Sequence, residues 1–145
     1  MRAVIQRVAH AAVSWEGGRS EISRGLLILF GVRKGDDEAA ARWLAEKCVA
    51  LRIFGDEGGR MNRSLLEVGG EILVVSQFTL YGDCRKGRRP SYDDAAPPEQ
   101  AEALYEVFLS ALRRPELVVR SGSFGAMMQV ELQNDGPVTL IVDSP

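Results

Sequence analysis

Histidine and cysteine are scarce in this sequence, which contains one histidine, His10, and two cysteines, Cys48 and Cys84. A single histidine excludes metal sites that need several imidazole ligands, and no cluster of histidine, cysteine and carboxylate residues has ligand spacing. The two cysteines form no Cys-x-x-Cys pair and no disulfide framework, which favours the reducing cytoplasm as the location. The residues therefore indicate no metal and no cofactor.

A long hydrophobic run and a strong excess of one charge are also absent. No window approaches the ~20 consecutive apolar residues of a membrane-spanning helix, and the first residues lack a signal-peptide cleavage region. The net charge is −2, so a contact with nucleic acid would have to come from a local basic patch. With 145 residues and no linker or repeat, the chain is predicted to form one domain, residues 1–145.

Hydrophobic periodicity predicts strands at both ends of the chain and two helices between them. Helical spacing begins after Asp36-Asp37 and again after Pro97-Pro98, and Pro115 ends the second helix. The side chains predicted to face the core from the helices are Ala40, Trp43, Leu44, Cys48 and Leu51, and Ala101, Leu104, Tyr105, Phe108, Leu109 and Leu112. The predicted strands are 2–15, 19–23, 25–32, 72–75, 117–120, 128–133 and 138–142, with a loop at 54–70. This order predicts an α/β (α+β) fold: a mixed, largely antiparallel sheet or partly closed barrel with two helices packed on it.

One strand end carries the strongest indication of a site. Ile72–Val75 is an unbroken apolar run, typical of a strand that is buried on both faces. Ser76, Gln77 and Thr79 follow without a turn residue, and a buried polar group without a partner costs about 1–3 kcal/mol. These side chains are therefore predicted to face a binding cavity, although a strand that frays into a loop has the same pattern.

Ser76 could act as a nucleophile only with a base within hydrogen-bond reach. His10 is the one histidine that could supply it, and nothing in the spacing brings the two residues together. Cys48 lies on the apolar face of the predicted first helix, where a thiol packs as a small hydrophobic group. We therefore expect neither a serine-hydrolase triad nor cysteine chemistry.

A basic segment follows the same strand end. It contains Arg85, Lys86, Arg88 and Arg89, with Tyr92 close behind. Such cations can follow a phosphate backbone, and an aromatic ring beside them can stack on a base. A solvated surface loop has the same composition, so the residues alone leave both interpretations open.

The segment Asn134-Asp135-Gly136 lies between two alternating runs and predicts a hairpin turn, because two-residue hairpin turns favour residues that tolerate positive φ. Pro137 does not fit this interpretation, since it removes a backbone donor from the returning strand and restricts Gly136 to extended geometry. A Gly-Pro bond can also be cis. The residues alone favour a plain turn.

These motifs together resemble those of the D-aminoacyl-tRNA deacylases, the chiral-proofreading family that includes D-tyrosyl-tRNA(Tyr) deacylase. The most specific are Ser76-Gln-Phe-Thr-Leu80 and Asn134-Asp-Gly-Pro-Val-Thr139. The resemblance covers nearly the whole chain, through residues 1–8, 76–80, 86–91, 98–105, 122–126 and 134–139. A sister branch of relaxed specificity carries Pro and Ala where this chain has Ser76 and Phe78.

The resemblance implies a cytoplasmic homodimer that hydrolyses the ester bond of D-aminoacyl-tRNA and rejects the L-forms. Its partner is the 3′ end of aminoacyl-tRNA, and mischarged glycyl-tRNA is a further expected substrate. Gly136-Pro137 is expected to be cis and to reach into the other subunit's pocket, where its carbonyl groups exclude L-side chains. Arg7 is expected to orient that loop.

The resemblance also assigns roles to individual residues. The expected catalytic residues are Ser76, Gln77, Phe78 and Thr79; the chirality and substrate residues are Gly136, Pro137, Thr139, Met128 and Arg7; the tRNA-binding residues are Arg85, Lys86, Arg88 and Arg89. Catalysis is expected to use the 2′-hydroxyl of the terminal adenosine, with backbone N–H groups near Phe78 and Thr79 stabilising the oxyanion. A non-catalytic RNA-binding module remains the alternative, and Gly136-Pro137 favours the hydrolase because RNA capture alone needs no chirality wall.

Overall fold

The computed structural model describes all residues from Met1 to Pro145. Its elements follow the predicted order, with an additional pair of short strands and a short 3₁₀ helix, and with the last two predicted strands joined into one. The strands are β1 (Arg2–Trp15), β2 (Gly18–Ile22), β3 (Gly25–Gly31), β4 (Phe54–Gly55), β5 (Met61–Arg63), β6 (Glu71–Ser76), β7 (Val119–Ser121) and β8 (Met128–Asp143). The helices are α1 (Glu38–Ala50) and α2 (Pro98–Leu112), and a short 3₁₀ helix spans Phe78–Tyr81.

A strongly curved mixed sheet is the centre of the fold. β1 pairs antiparallel with β2, β3 and β8, whereas β3, β6 and β7 are parallel neighbours. The curvature brings β2 toward β7, where the Ser20 hydroxyl donates to the Ser121 carbonyl oxygen at 2.8 Å. The predicted mixed sheet is therefore confirmed; it closes almost into a barrel and carries both helices against one core.

β1 contributes side chains to two separate apolar cores, because its alternation is interrupted by a bulge. Ile5 belongs to the larger core, which α1 and α2 cover, whereas Val13 belongs to the smaller one. Strict alternation would place both side chains on one face. The pairing with β8 shifts at Ala9, where β1 has one residue more than its partner. This bulge turns the second half of β1 over and lets one strand serve both cores.

β8 corrects the prediction of a C-terminal hairpin. Residues 128–133 and 139–143 both pair antiparallel with β1, the first with its C-terminal half and the second with its N-terminal half. The chain therefore keeps its direction through Asn134-Asp135-Gly136, and residues 135–138 project from the strand near Arg7. The local turn preference is outweighed because both flanking segments find partners on one long strand.

The first half of β8 is also more exposed than predicted. The alternation of residues 128–133 predicts a half-buried strand, yet Val130 is 37% and Leu132 36% exposed in the single chain. The second half follows the expected pattern, since Val138, Leu140 and Val142 pack against the larger core. An uncovered apolar face therefore remains on the first half.

The two helices confirm most of the predicted core. All six core residues predicted for α2 are buried. In α1, Trp43 is an exception: it is 40% exposed, with the Lys47 ammonium 5.8 Å from the centre of its ring. Alanines at neighbouring positions leave the phase of this helix ambiguous in the sequence, and the buried face instead comprises Ala41, Leu44, Ala45, Cys48 and Val49. Neither helix is long and apolar enough to span a bilayer.

The predicted loop at residues 54–70 contains a short hairpin formed by β4 and β5. Asp56 organises its turn, because one carboxylate oxygen accepts hydrogen bonds from the Gly58 and Arg60 amides, each at 2.9 Å. Local bonds of this kind order a segment that has too few apolar residues to show strand periodicity.

Candidate functional site

A cavity of about 850 Å³ opens beyond the C-terminal end of β6. Its wall is mostly apolar and comes from β6, the 3₁₀ helix, the start of α2 and the segment from Phe124 to Val130. Five of the predicted site residues line it: Ser76, Gln77, Phe78, Thr79 and Met128. Of the two alternatives that the sequence left open for the polar strand end, a cavity and a frayed loop, the structure has the cavity.

The neighbouring parallel strand fixes this polar end of β6. Ser76 is in register with Phe30 of β3, and the backbone N–H of Gln77 donates to the Phe30 carbonyl oxygen at 2.8 Å. The chain then enters the 3₁₀ helix, in which the Phe78 ring is 55% exposed. The Gln77 side chain donates a hydrogen bond to the Thr79 hydroxyl. The end of the strand thus brings the Gln77 side-chain amide, the hydroxyls of Ser76 and Thr79 and the Phe78 ring to the cavity wall.

Arg2, which is not among the predicted site residues, holds the 3₁₀ helix against the sheet. Its guanidinium donates to both carboxylate oxygens of Asp143, at 2.8 and 3.1 Å, and to the Leu80 carbonyl oxygen at 3.4 Å. The hydrogen bond from Arg2 lowers the pKa of Asp143. Arg2 also lies 5.5 Å from the centre of the Tyr81 ring, and burial raises the pKa of Tyr81 to about 12. These contacts tie the first and last strands to the wall of the cavity.

The other lining residues include Lys34 and Phe124, which were not predicted, and Tyr92, which the sequence had indicated only as a ring beside the basic segment. The Tyr92 and Phe78 rings meet edge to face, with their centroids 5.2 Å apart. The Phe124 ring packs against Tyr105, with ring centroids 5.7 Å apart. The cavity therefore offers aromatic rings as well as polar groups, which suits a ligand that has both. For Phe124 a signal was present, because it lies in the 122–126 segment that matched the deacylases.

The basic segment forms an exposed loop beside the cavity and does not line it. Asp83 and Ser91 close its base through backbone hydrogen bonds of 2.7 and 2.9 Å. Arg85 pairs with Asp83 at 2.6 Å, and the hydrogen bond from Arg85 lowers the pKa of Asp83 to about 2. The other cations of the loop are exposed: Lys86, Arg88 and Arg89. Since Tyr92 follows directly after Ser91, this cationic surface is continuous with the rim of the cavity.

The remaining predicted residues form a second cluster, at the irregular part of β8. The Gly136–Pro137 peptide bond is cis, as the resemblance implied. Arg7 contacts this loop: its Nε donates to the Asp135 carbonyl oxygen at 2.8 Å, and a second guanidinium nitrogen donates to the Ile53 carbonyl oxygen at 2.6 Å. Arg7 therefore lies between the loop and the segment that leads into β4.

The Asn134 side chain both accepts and donates hydrogen bonds that hold this loop. Its Oδ1 accepts from the Val138 amide at 2.8 Å, and its Nδ2 donates to the Val138 carbonyl oxygen and the Thr139 hydroxyl, both at 3.1 Å. The Thr139 hydroxyl also accepts from Gln6 Nε2 at 3.3 Å. The shape of the loop is thus set by side chains of its own subunit.

The two clusters do not meet within one chain. Gly136, Pro137, Thr139 and Arg7 are not part of the cavity wall. Arg7 borders instead a smaller depression of about 290 Å³, together with Asp135. Within one chain the Gly136–Pro137 loop and the cavity are therefore separate features.

The residues that could suggest other chemistry lie away from the cavity. His10 is exposed on β1 opposite Gln133, so Ser76 has no histidine beside it. Cys48 is buried, and burial raises the pKa of its thiol to about 12, which keeps the thiol neutral and inert. No group of three or more His, Cys, Asp or Glu side chains is placed to hold a metal ion.

Sequence comparison relates the chain to deacylases. Residues 4–143 match the family model described as D-Tyr-tRNA(Tyr) deacylase. A D-aminoacyl-tRNA deacylase of Thermosipho africanus is 59% identical over 145 residues, which cover 99% of this chain and 97% of that protein. A D-aminoacyl-tRNA deacylase of Roseiflexus castenholzii is 62% identical over 145 residues, covering 99% of this chain and 92% of that protein.

Two solved structures share the fold. One, described as a c-Myc DNA unwinding element binding protein, superposes with a TM-score of 0.92 at 44% identity and covers 100% of this chain and 99% of its own. The other, described as a probable eukaryotic D-amino acid tRNA deacylase, has a TM-score of 0.81 at 20% identity and covers 98% of both chains. At that identity the second likeness concerns the fold alone.

Proposed function

The chain belongs to the D-Tyr-tRNA(Tyr) deacylase family, and we propose that it hydrolyses the ester bond of D-aminoacyl-tRNA, releasing the D-amino acid and the tRNA. The observation that carries this proposal is the cavity at the end of β6, whose wall contains the whole Ser76–Thr79 motif. The cavity combines aromatic rings, an amide and two hydroxyls, which suits the aminoacylated adenosine at the 3′ end of a tRNA.

We propose that main-chain atoms of the protein exclude L-aminoacyl-tRNA, and that no pocket for a particular amino-acid side chain is needed. In the proposed dimer, Gly136-Pro137 of the partner subunit faces the cavity, and its carbonyl groups leave no room for a side chain of L-configuration. Such a wall acts whatever the side chain is, so one site can serve many D-amino acids. Glycine has no side chain to exclude, and glycyl-tRNA is therefore proposed as a second substrate.

Catalysis is proposed to use the 2′-hydroxyl of the terminal adenosine, because no histidine lies beside the Ser76 or Thr79 hydroxyl to activate it. The amides of Phe78 and Thr79 begin the 3₁₀ helix, and the first N–H groups of a helix have no acceptor within it. We assign them to the oxyanion that forms when water attacks the ester. The protein's main contribution is then to hold the ester, water and 2′-hydroxyl in a reactive arrangement.

The proposal is tested by deacylation of matched D- and L-tyrosyl-tRNA with purified protein in the presence of EDTA. We expect the D-ester to be hydrolysed and the L-ester to be spared. Binding of both tRNAs without hydrolysis of either would contradict the proposal and would indicate an RNA-binding module.

Alanine substitutions in the cavity give a prediction about the nucleophile. Ser76→Ala and Thr79→Ala are each expected to retain activity within about tenfold of wild type, whereas loss of a true nucleophile costs about 10⁶-fold. Single-turnover deacylation of D-tyrosyl-tRNA measures this, with Thr79→Ser as a control that keeps the bond from Gln77. A collapse of the Ser76→Ala rate to the uncatalysed level would show that Ser76 is the nucleophile.

A homodimer is proposed because the single chain exposes apolar side chains of β8 and of the segment before it. Met127 is 92%, Ile141 67% and Leu132 36% exposed. Apolar surface of this kind is typically covered in the functional assembly. A second copy would cover it and would also supply the loop that each cavity lacks.

Sedimentation at micromolar concentration is expected to give twice the chain mass of 15.9 kDa. Leu132→Asp is expected to shift the protein toward the monomer and to lower deacylation, because a charge on the apolar face of β8 opposes its burial. Trp43→Asp, at an exposed apolar position of α1, is the matched control and is expected to leave the mass unchanged. A wild-type protein that sediments only as a monomer would rule out the dimer.

The basic loop is proposed to contact tRNA phosphates. Arg88→Glu combined with Arg89→Glu is expected to weaken tRNA binding and to flatten the slope of log K against log salt by about 1.4–1.8 units. Arg85 is a poorer choice because Asp83 already pairs with it. The control is the same charge change on α1, Arg42→Glu with Lys47→Glu. Unchanged affinity and slope in the loop variant would leave the loop as solvated surface.

A further inference from the structure

Two aromatic side chains are exposed and in contact at the rim of the cavity. Phe78 is 55% and Tyr92 41% exposed, with ring centroids 5.2 Å apart and planes inclined at 69°. The core aromatics Phe30, Phe54 and Phe108 are buried almost completely. An exposed aromatic pair at a cavity mouth indicates a surface that is covered when ligand binds.

The position of the Tyr92 ring is well determined by its neighbours. Gly82 lies directly against it: a Cβ added at Gly82 would be 3.0 Å from Cε1 of the ring. The backbone pair between Asp83 and Ser91 fixes the residue before Tyr92, and the Tyr92 carbonyl oxygen accepts from the Ala95 amide at 3.0 Å. The absence of a side chain at Gly82 therefore lets the ring lie close to the 3₁₀ helix, next to Phe78.

Tyr92 also lies between two surfaces of different chemistry. On one side is the cavity, which it helps to line. On the other side, across the Asp83–Ser91 pair, is the loop that carries Lys86, Arg88 and Arg89. A single strand of RNA that leaves the cavity toward these cations has to pass the Tyr92 ring.

We propose that Tyr92 is the stacking platform for the base that precedes the terminal adenosine of the tRNA. This inference rests on the proposed function, in which the aminoacylated adenosine occupies the cavity. Stacking on an aromatic ring requires the π face of a base and does not read its edge. Tyr92 therefore positions the penultimate nucleotide and makes no contact with the reacting ester.

Shortened substrates test this proposal, because they differ by the nucleotide in question. The probes are the D-tyrosyl esters of adenosine and of the trinucleotide CCA. Tyr92→Ala is expected to lower kcat/KM for the trinucleotide ester about 5- to 150-fold, mainly through KM, because stacking contributes about 1–3 kcal/mol per base. The adenosine ester, which has no second base, is expected to lose less than the trinucleotide ester, because Tyr92 lies at the rim of the cavity and contributes only part of its wall.

Two more variants separate stacking from packing. Tyr92→Phe keeps the ring and is expected to retain wild-type kinetics, whereas Tyr92→Leu keeps the contact with Phe78 without a π face and is expected to behave as Tyr92→Ala. Trp43→Ala removes an exposed ring from α1 and is the control. Equal losses on the adenosine and trinucleotide esters would overturn the proposal, since Tyr92 would then act through Phe78. No loss on either ester would overturn it as well.

A binding measurement distinguishes failure of this inference from failure of the proposed function. Calorimetric titration is expected to show tighter binding of the trinucleotide CCA, without an attached amino acid, than of adenosine. Tyr92→Ala is expected to remove this difference in affinity. If the wild type hydrolyses no D-ester but shows this Tyr92-dependent binding, the deacylase proposal fails and the platform stands. If hydrolysis is normal and CCA binding is independent of Tyr92, the platform is wrong and the deacylase stands.

Discussion

Gly136→Ala is expected to reduce deacylation of D-tyrosyl-tRNA by about 10²-fold or more, since misplacement of a positioning group by about 1 Å can have an effect of that size. Gly136 has a φ of +148°, which side chains rarely adopt. An added Cβ would lie 2.8 Å from the Val138 amide nitrogen and 3.2 Å from the Arg7 guanidinium. The loop would have to shift away from the geometry that Arg7 and Asn134 impose, and the added methyl group would enlarge the proposed wall where the α-carbon of the substrate passes.

The measurement is kcat/KM on D-tyrosyl-tRNA, together with sedimentation to confirm that the variant still associates. Gly58→Ala is the matched control, because its added Cβ would approach no atom more closely than 3.4 Å. Full activity in a dimeric Gly136→Ala protein would exclude this loop from the active site. Loss of activity in both glycine variants would point to a general effect on the fold.

The sequence was sufficient to predict the elements whose signal is local. In β6, Ile72–Val75 is an unbroken apolar run because both faces of the strand are covered, and a run of that kind has few alternatives. In α2, the apolar stripe is continuous and no alanine pair obscures its phase. The polar residues after Ile72–Val75 indicated either a cavity or a frayed strand end, since burial without partners is costly, and the structure has the cavity.

The features that sequence reasoning missed depend on pairings between distant residues. Asn134-Asp135-Gly136 has the composition of a hairpin turn, and only the pairing of both halves of β8 with β1 excludes it. The same holds for Arg2, whose contacts with Leu80 and Asp143 join three segments that are far apart in the chain. The two clusters of site residues were assigned to one site by resemblance alone, since no contact within the chain connects them.

Removal of one hydroxyl from the substrate should have an effect as large as any substitution in the protein. D-tyrosyl-tRNA that ends in 2′-deoxyadenosine is expected to be hydrolysed about 10²- to 10⁴-fold more slowly, which is the contribution usual for a positioned acid–base group. The physical reason is the lack of a substitute in the cavity wall: no histidine lies beside the Ser76 or Thr79 hydroxyl. The effect is expected in the single-turnover rate, because binding of the base and the phosphates is unaffected.

The control substrate carries the 2′-deoxy sugar at the penultimate nucleotide. The test and control substrates therefore each lack one hydroxyl, but only the test substrate lacks the hydroxyl next to the ester. Each rate has to be divided by that of the same ester without protein, because the neighbouring hydroxyl also affects spontaneous hydrolysis. Combining the terminal deoxy substrate with Ser76→Ala completes the test. If the wild type cleaves the terminal deoxy substrate at the normal rate and Ser76→Ala abolishes turnover of the ordinary substrate, catalysis depends on the Ser76 hydroxyl. If the deoxy substrate is cleaved slowly and Ser76→Ala still cleaves the ordinary substrate, catalysis depends on the 2′-hydroxyl of the RNA.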